Sequence, residues 1–291
     1  MQREIGTPDG RTLEVLAAGV ADGPVLVAHH GTPSSGRLFR ADTESAERLG
    51  LRLVTYSRPG YASSTPRPGR SVADAAEDVA AILEALGVER FATYGVSGGG
   101  PHALACAALL PGRCAGAATI AGVAPFDAAD LDFIAGMGQG NIEEFGAARD
   151  GREPLTALLE RERAGLLAVE PEQLHEAMAP HLSGVDRAVL IGEYAAFLHG
   201  EMTDALAPRV DGWLDDDLAF VRPWGFDLAA IRVPVLVCQG EQDLMVPGDH
   251  GRWLGAHVAG AEQRSFPDEG HLTLAVNRVG DVQAWLRDRL V

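Results

Sequence analysis

The stretch Gly95-Val96-Ser97-Gly98-Gly99 decides how this 291-residue chain is read. It matches G-x-S-x-G, a pattern in which a strand turns sharply into a helix with a serine at the apex. The turn forces the serine into strained backbone geometry. Glycines two residues to either side are needed where neighbouring elements pack with no room for a Cβ. The serine hydroxyl then stands clear of the carboxyl end of the sheet, and the N-terminal amides of the following helix favour a developing negative charge. In a chain with 35 glycines the pattern alone arises by chance. Here an apolar run, 91–94, precedes it and a small-residue helical stretch, 101–110, follows, which is the context the turn requires.

On both sides of this turn, apolar runs alternate with helical stretches. Residues 25–30 and 51–56 are continuous apolar runs, as expected of strands buried on both faces of a parallel sheet. Pro8-Asp9-Gly10 marks the turn of an N-terminal hairpin. Residues 71–86 place Val72, Ala75, Ala76, Val79, Ile82, Leu83 and Leu86 at helical spacing, with Ser71 and Asp74 at the start and Gly87 at the end. Further strands are expected at 115–121, 233–239 and 263–266, and a closing helix at 272–290. The alternation implies an α/β architecture, a mostly parallel sheet covered on both faces. It stops between 125 and 225, where Ala, Glu, Leu and Arg dominate and several helices are expected, among them 153–169, 171–178 and 186–199. Residues 125–225 therefore read as a helical cap, or lid, inserted into a core made of 1–124 and 226–291.

A serine hydroxyl is a poor nucleophile without a base. At strand–turn–helix sites of this kind the partners follow in the order serine, acid, histidine. Glu269-Gly270-His271 follows the strand expected at 263–266, and Gly240-Glu241-Gln242-Asp243 follows 233–239. His271 is the expected base, and Asp243 the acid that orients it and stabilises its imidazolium. Asp127, just past 115–121, is the other acid considered; Asp249 and Asp268 read as solvated loop charges. His30-Gly31-Thr32-Pro33 closes the strand at 25–30. Pro33 has no N–H, so the backbone amides of Thr32 and Gly98 are the expected oxyanion donors. His30 reads as a loop organiser, and His29 as pointing to the opposite face, with no chemistry.

Composition narrows the partners. Lys and Arg number 24 against 41 Asp and Glu, a net charge of −17, which disfavours nucleic acid and anionic membrane surfaces. Three cysteines without C-x-x-C spacing point to buried free thiols. No metal site is expected: His175 and His181 lack H-E-x-x-H spacing, and Asp215-Asp216-Asp217 reads as a solvated acidic turn. Gly136, Gly138 and Gly140 lack a nucleotide-binding pattern. Trp213, Phe220, Trp224 and Phe226 read as cap core. With no leader-like start and no run of 18 apolar residues, the expected location is cytoplasmic.

His30-Gly31-Thr32-Pro33, Ser57-Arg58-Pro59-Gly60-Tyr61, Gly95-Val96-Ser97-Gly98-Gly99, Gly240-Glu241-Gln242-Asp243 and Gly270-His271 together resemble the α/β-hydrolase superfamily over nearly the whole chain. The resemblance is strongest to capped members such as epoxide hydrolases, haloalkane dehalogenases and prolyl aminopeptidases. It implies an eight-stranded, mostly parallel sheet with an inserted cap, and a cis bond at Thr32–Pro33. Epoxide hydrolases and haloalkane dehalogenases carry aspartate where this chain has Ser97. Prolyl aminopeptidases often carry Trp where it has Gly98.

The expected protein is a cofactor-free, metal-free serine hydrolase. It would cleave an ester, thioester, lactone or amide of a small, largely apolar substrate through an acyl-enzyme on Ser97. The alternatives are other chemistry of the same triad, such as C–C bond hydrolysis, perhydrolysis or peptidase activity, and a non-catalytic small-ligand receptor on the same fold.

Overall fold

The computed structural model describes residues 2–291. An antiparallel hairpin, β1 (Gln2–Gly6) and β2 (Thr12–Gly19), opens the chain. Then follow β3 (Val25–His29), α1 (Arg40–Arg48), β4 (Arg52–Tyr56), α2 (Ala75–Ala85), β5 (Phe91–Val96), α3 (Gly99–Leu109) and β6 (Cys114–Ile120). Six helices come next: α4 (Gln139–Asp150), α5 (Arg152–Ala168), α6 (Leu174–Ala177), α7 (Gly184–Val189), α8 (Gly192–Leu206) and α9 (Asp211–Phe220). The chain closes with β7 (Val235–Gly240), α10 (Gly248–His257), β8 (Glu262–Phe266) and α11 (His271–Leu290). Among the described residues no helix is long and apolar enough to cross a membrane.

The strands form one eight-stranded sheet in the order β1-β2-β4-β3-β5-β6-β7-β8, parallel from β4 onward. Alternation of side chains across the pleat supplies two cores. Val25 and Val27 of β3 pack with Val54, Phe91 and Leu104 on one face, while Leu26 and Ala28 pack with Leu53, Ala92 and Val282 on the other. Strand order reverses at β3, with β4 on one side and β5 on the other, and such a switch point leaves a crevice at the strands' carboxyl ends. His29 is in register with Gly95, so the loop after β3 lies beside the turn after β5.

Three local expectations need correction. The helix expected at 186–199 is two helices, α7 and α8. Gly192, at φ +55°, sits in the left-handed region, which an α-helix cannot pass through. The stretch 171–178 is a 3₁₀ turn followed by the single turn of α6. Asp215-Asp216-Asp217 is not a solvated turn: all three lie on α9 and are buried.

The last correction has a clear electrostatic reason. Asp216, fully buried, accepts from Arg58 Nη2 at 2.7 Å, Arg70 Nη1, Tyr61 Oη at 2.8 Å and Thr32 Oγ1 at 2.9 Å. Burial alone would raise its pKa, but Arg58 and Arg70 hold it well below the usual carboxylate range. Asp215 accepts from Arg152 and from the Gly69 amide. Trp213 packs among the inserted helices, as expected of cap core, whereas Phe220 and Trp224 pack against the sheet-side core.

Removing one member of a buried, hydrogen-bonded ion network strands its partners. Asp216→Ala should cost about 3–5 kcal/mol in chemical denaturation. Asp204→Ala, which deletes the exposed Arg37 pair, should cost less than about 1 kcal/mol.

Candidate active site

The turn after β5 has the geometry its sequence predicts. Ser97 sits at φ +54°, a left-handed conformation in a residue that has a Cβ. The flanking glycines are required sterically: a Cβ on Gly95 would lie 2.0 Å from the Gly99 carbonyl oxygen, and one on Gly99 would lie 2.3 Å from that of His29. The Ser97 amide donates to Ile120 O at 2.8 Å, which ties the turn to β6.

The histidine and acid converge at the same edge. His271 is the first residue of α11, and its Nδ1 lies 2.8 Å from Asp243 Oδ2. Asp243 Oδ1 accepts from the Met245 and Val246 amides, each at 2.8 Å, and Oδ2 also accepts from Gln239 Nε2 at 3.3 Å. Burial pushes the Asp243 carboxyl up, while these donors and His271 favour its ionised form. An ionised Asp243 makes Nδ1 the donor and leaves Nε2 of His271 free to accept. Burial alone would lower the imidazole pKa. The charge and hydrogen bond of Asp243, with a further contribution from Asp186, leave it above its ordinary value. Ser97 and His271 line one cavity. Asp127 is exposed and lies in a separate groove with Trp253 and His257, away from His271. Asp249 pairs with Arg252, and Asp268 is exposed.

The oxyanion candidates also converge. Gly98 sits so close to Thr32 that a Cβ on it would lie 2.5 Å from Thr32 Oγ1. The Thr32–Pro33 bond is cis. Arg58 fixes this loop from below: its guanidinium donates to the carbonyls of His30 and Gly31 and to Thr32 Oγ1. His30 organises the loop as expected. Its Nδ1 bonds Gly31 O at 2.7 Å and its Nε2 accepts from the Arg58 amide at 3.0 Å, a pattern only the neutral ring can make. Burial, reinforced by the charge of Arg58, holds it neutral. His102, with its pKa lowered to about 3 chiefly by burial, bonds Gly98 O at 2.8 Å. His29 is buried, with its ring stacked on that of His102.

Two cavities meet at Ser97. One extends past Phe39, Tyr94, Tyr194 and Phe197 and is flanked by Asp42 and Glu201; the other extends past Phe145, Trp213, Phe220, Glu144 and Asp217. Thr32, Met178, Met202 and Met245 line both. Burial raises Asp42 to about 7 and Glu201 to about 8. His175 and His181 do not pair as ligands; His181 bonds Asn141. The three cysteines are buried free thiols.

Sequence reasoning missed Asp216, Asp186, Glu144 and Glu201, which come from the inserted helices. It also gave Arg58 no role. The one local signal was Ser183-x-x-Asp186, a helix-start pattern, and Ser183 does cap α7.

A family model described as alpha/beta hydrolase fold matches residues 24–154. An uncharacterized hydrolase of Bacillus subtilis is 26% identical over 94% of this chain and 93% of its own. A bifunctional esterase/perhydrolase of Acinetobacter calcoaceticus is 35% identical over 33% of this chain and 35% of its own. Among solved structures, a thermophilic esterase from Thermogutta terrifontis superposes over 100% of both chains with a TM-score of 0.72 at 21% identity. An alpha/beta hydrolase fold protein from Nakamurella multipartita gives a TM-score of 0.69 at 26% identity, covering 100% of this chain and 99% of its own. The chain has the α/β-hydrolase fold, and the family model of that fold matches its first half from residue 24 onward.

Left-handed backbone costs a residue with a Cβ about 1–2 kcal/mol more than glycine. Ser97→Gly should therefore be more stable than Ser97→Ala by up to about 1 kcal/mol in thermal melts, after the entropy cost of glycine. Equal melting would place no strain at the turn.

Proposed function

We propose that the protein is a cofactor-free serine hydrolase that cleaves an ester, or a related thioester, lactone or amide, of a small, largely apolar substrate. One observation carries this reading: a strained, cavity-facing Ser97 shares its cavity with a histidine whose far nitrogen is bonded to a buried aspartate. The substrate carbonyl sits over Ser97 with one arm in each cavity, and helices α4–α9 act as the cap that closes over it. His271 Nε2 takes the Ser97 proton as the oxygen attacks. The amides of Thr32 and Gly98 hold the oxyanion, and His271 returns the proton to the leaving group. Water, activated by the same imidazole, then releases the acid from Ser97. Asp243 keeps the imidazole in the tautomer that can accept and stabilises its charged form. The methionines and aromatic rings of both cavities suit apolar arms.

Wild-type protein should turn over short p-nitrophenyl esters, and Ser97→Ala should lower kcat by about 10⁴-fold or more. Retention of turnover by Ser97→Ala would remove the serine from the mechanism. His271 must be neutral to act as base, and its pKa is raised. The acid limb of kcat/KM should therefore lie above the usual imidazole value of about 6.5. A rate that stays flat down to about pH 5 contradicts His271 as the base.

A further inference from the structure

The reading of His271 as general base gives no role to a buried carboxylate that touches the histidine's own backbone. Asp186, on α7, is fully buried and carries its carboxylate to the first turn of α11. Its Oδ2 accepts from the His271 amide at 2.9 Å and from Ser183 Oγ at 2.8 Å. Its Oδ1 accepts from the amides of Leu272 at 2.8 Å and Thr273 at 3.1 Å. Three consecutive amides that open a helix therefore end on one carboxylate contributed by a segment 85 or more residues earlier in the chain.

This placement has two consequences. It fixes the backbone of His271, and with it the placement of the ring whose Nε2 takes the Ser97 proton in the reading above. It also sets a negative charge at the positive end of the α11 dipole, where an imidazolium at the first helical position would otherwise be disfavoured. Other groups around the imidazole are accounted for. Asp243 bonds it directly, Glu269 is engaged by Arg278, and Glu201 on α8 and Asp42 on α1 line the shared cavity.

We propose that Asp186 is a positioning residue of the reaction: an inserted-helix carboxylate that orients the general-base histidine and favours its protonated form during turnover. The inference rests on the serine-hydrolase reading above, and goes beyond it by making an inserted-helix residue part of the proton-transfer machinery.

The test compares wild type, Asp186→Asn and Asp186→Ala in p-nitrophenyl ester hydrolysis across pH. Both variants should lower kcat, Asp186→Ala by about tenfold or more, with KM within about twofold. Asp186→Asn should recover part of kcat, because its amide oxygen still accepts from Leu272 and Thr273. It should still move the acid limb of kcat/KM down by about half a pH unit, since the charge favouring imidazolium is gone. Asp42, Glu201 and Asp243 are common to all three proteins, so they cannot produce that difference. An Asp186→Asn limb and kcat equal to wild type would overturn the proposal, whether or not Asp186→Ala folds. Absence of turnover or of an acid limb in wild type would instead overturn the hydrolase reading on which the proposal rests.

Discussion

The carboxylate of Asp216 is the point at which the inserted helices and the sheet become one structure. It binds Arg58 and Arg70 and also accepts from Tyr61 and Thr32. Such a group is stable without water only when its charge is matched and its lone pairs are filled. Next to it, burial raises the Glu144 and Asp217 carboxyls, and the neighbouring charges of Glu144 and Asp216 add to the rise at Asp217. The geometry of the Thr32 loop follows, because the same Arg58 that meets Asp216 also grips the carbonyls of His30 and Gly31.

The candidate site is thus supported from two sides. Ser97, Asp243 and His271 each follow the carboxyl end of a strand of the parallel sheet, β5, β7 and β8 in turn. The inserted helices supply the matching supports, with Asp216 behind the Thr32 loop and Asp186 at the first turn of α11. Both are carboxylates at zero exposure, and both act on backbone or loop groups rather than on the serine itself. An insertion tied in this way differs from a detachable lid. Displacing α7 or α9 would unmake the hydrogen bonds to His271 and Thr32.

Much of this was legible in the sequence where chemistry and local geometry coincide. The Gly95–Gly99 turn is specified by sterics within a few residues, and the short apolar runs of β3, β4, β6 and β7 follow from burial on both faces. Asp243 could be chosen only by its place after a strand, and the structure adds the 2.8 Å contact with His271. The inserted helices were less legible for a physical reason. The Asp215-Asp216-Asp217 run reads as solvated because its partners, Arg58, Arg70 and Arg152, lie far away in sequence. Likewise, Ser183-x-x-Asp186 announces a helix start, yet nothing local reveals that the carboxylate ends on another helix. The break between α7 and α8 depends on the backbone of Gly192, within a pattern that otherwise continues the helix.

The central claim is that Ser97 is an activated nucleophile. Intact-mass and peptide mass spectrometry after treatment with a fluorophosphonate test it without knowledge of the natural substrate. One adduct per chain, mapped to Ser97 and absent from Ser97→Ala, is the predicted result. Wild-type protein that stays unlabelled, or that is labelled elsewhere, contradicts the account.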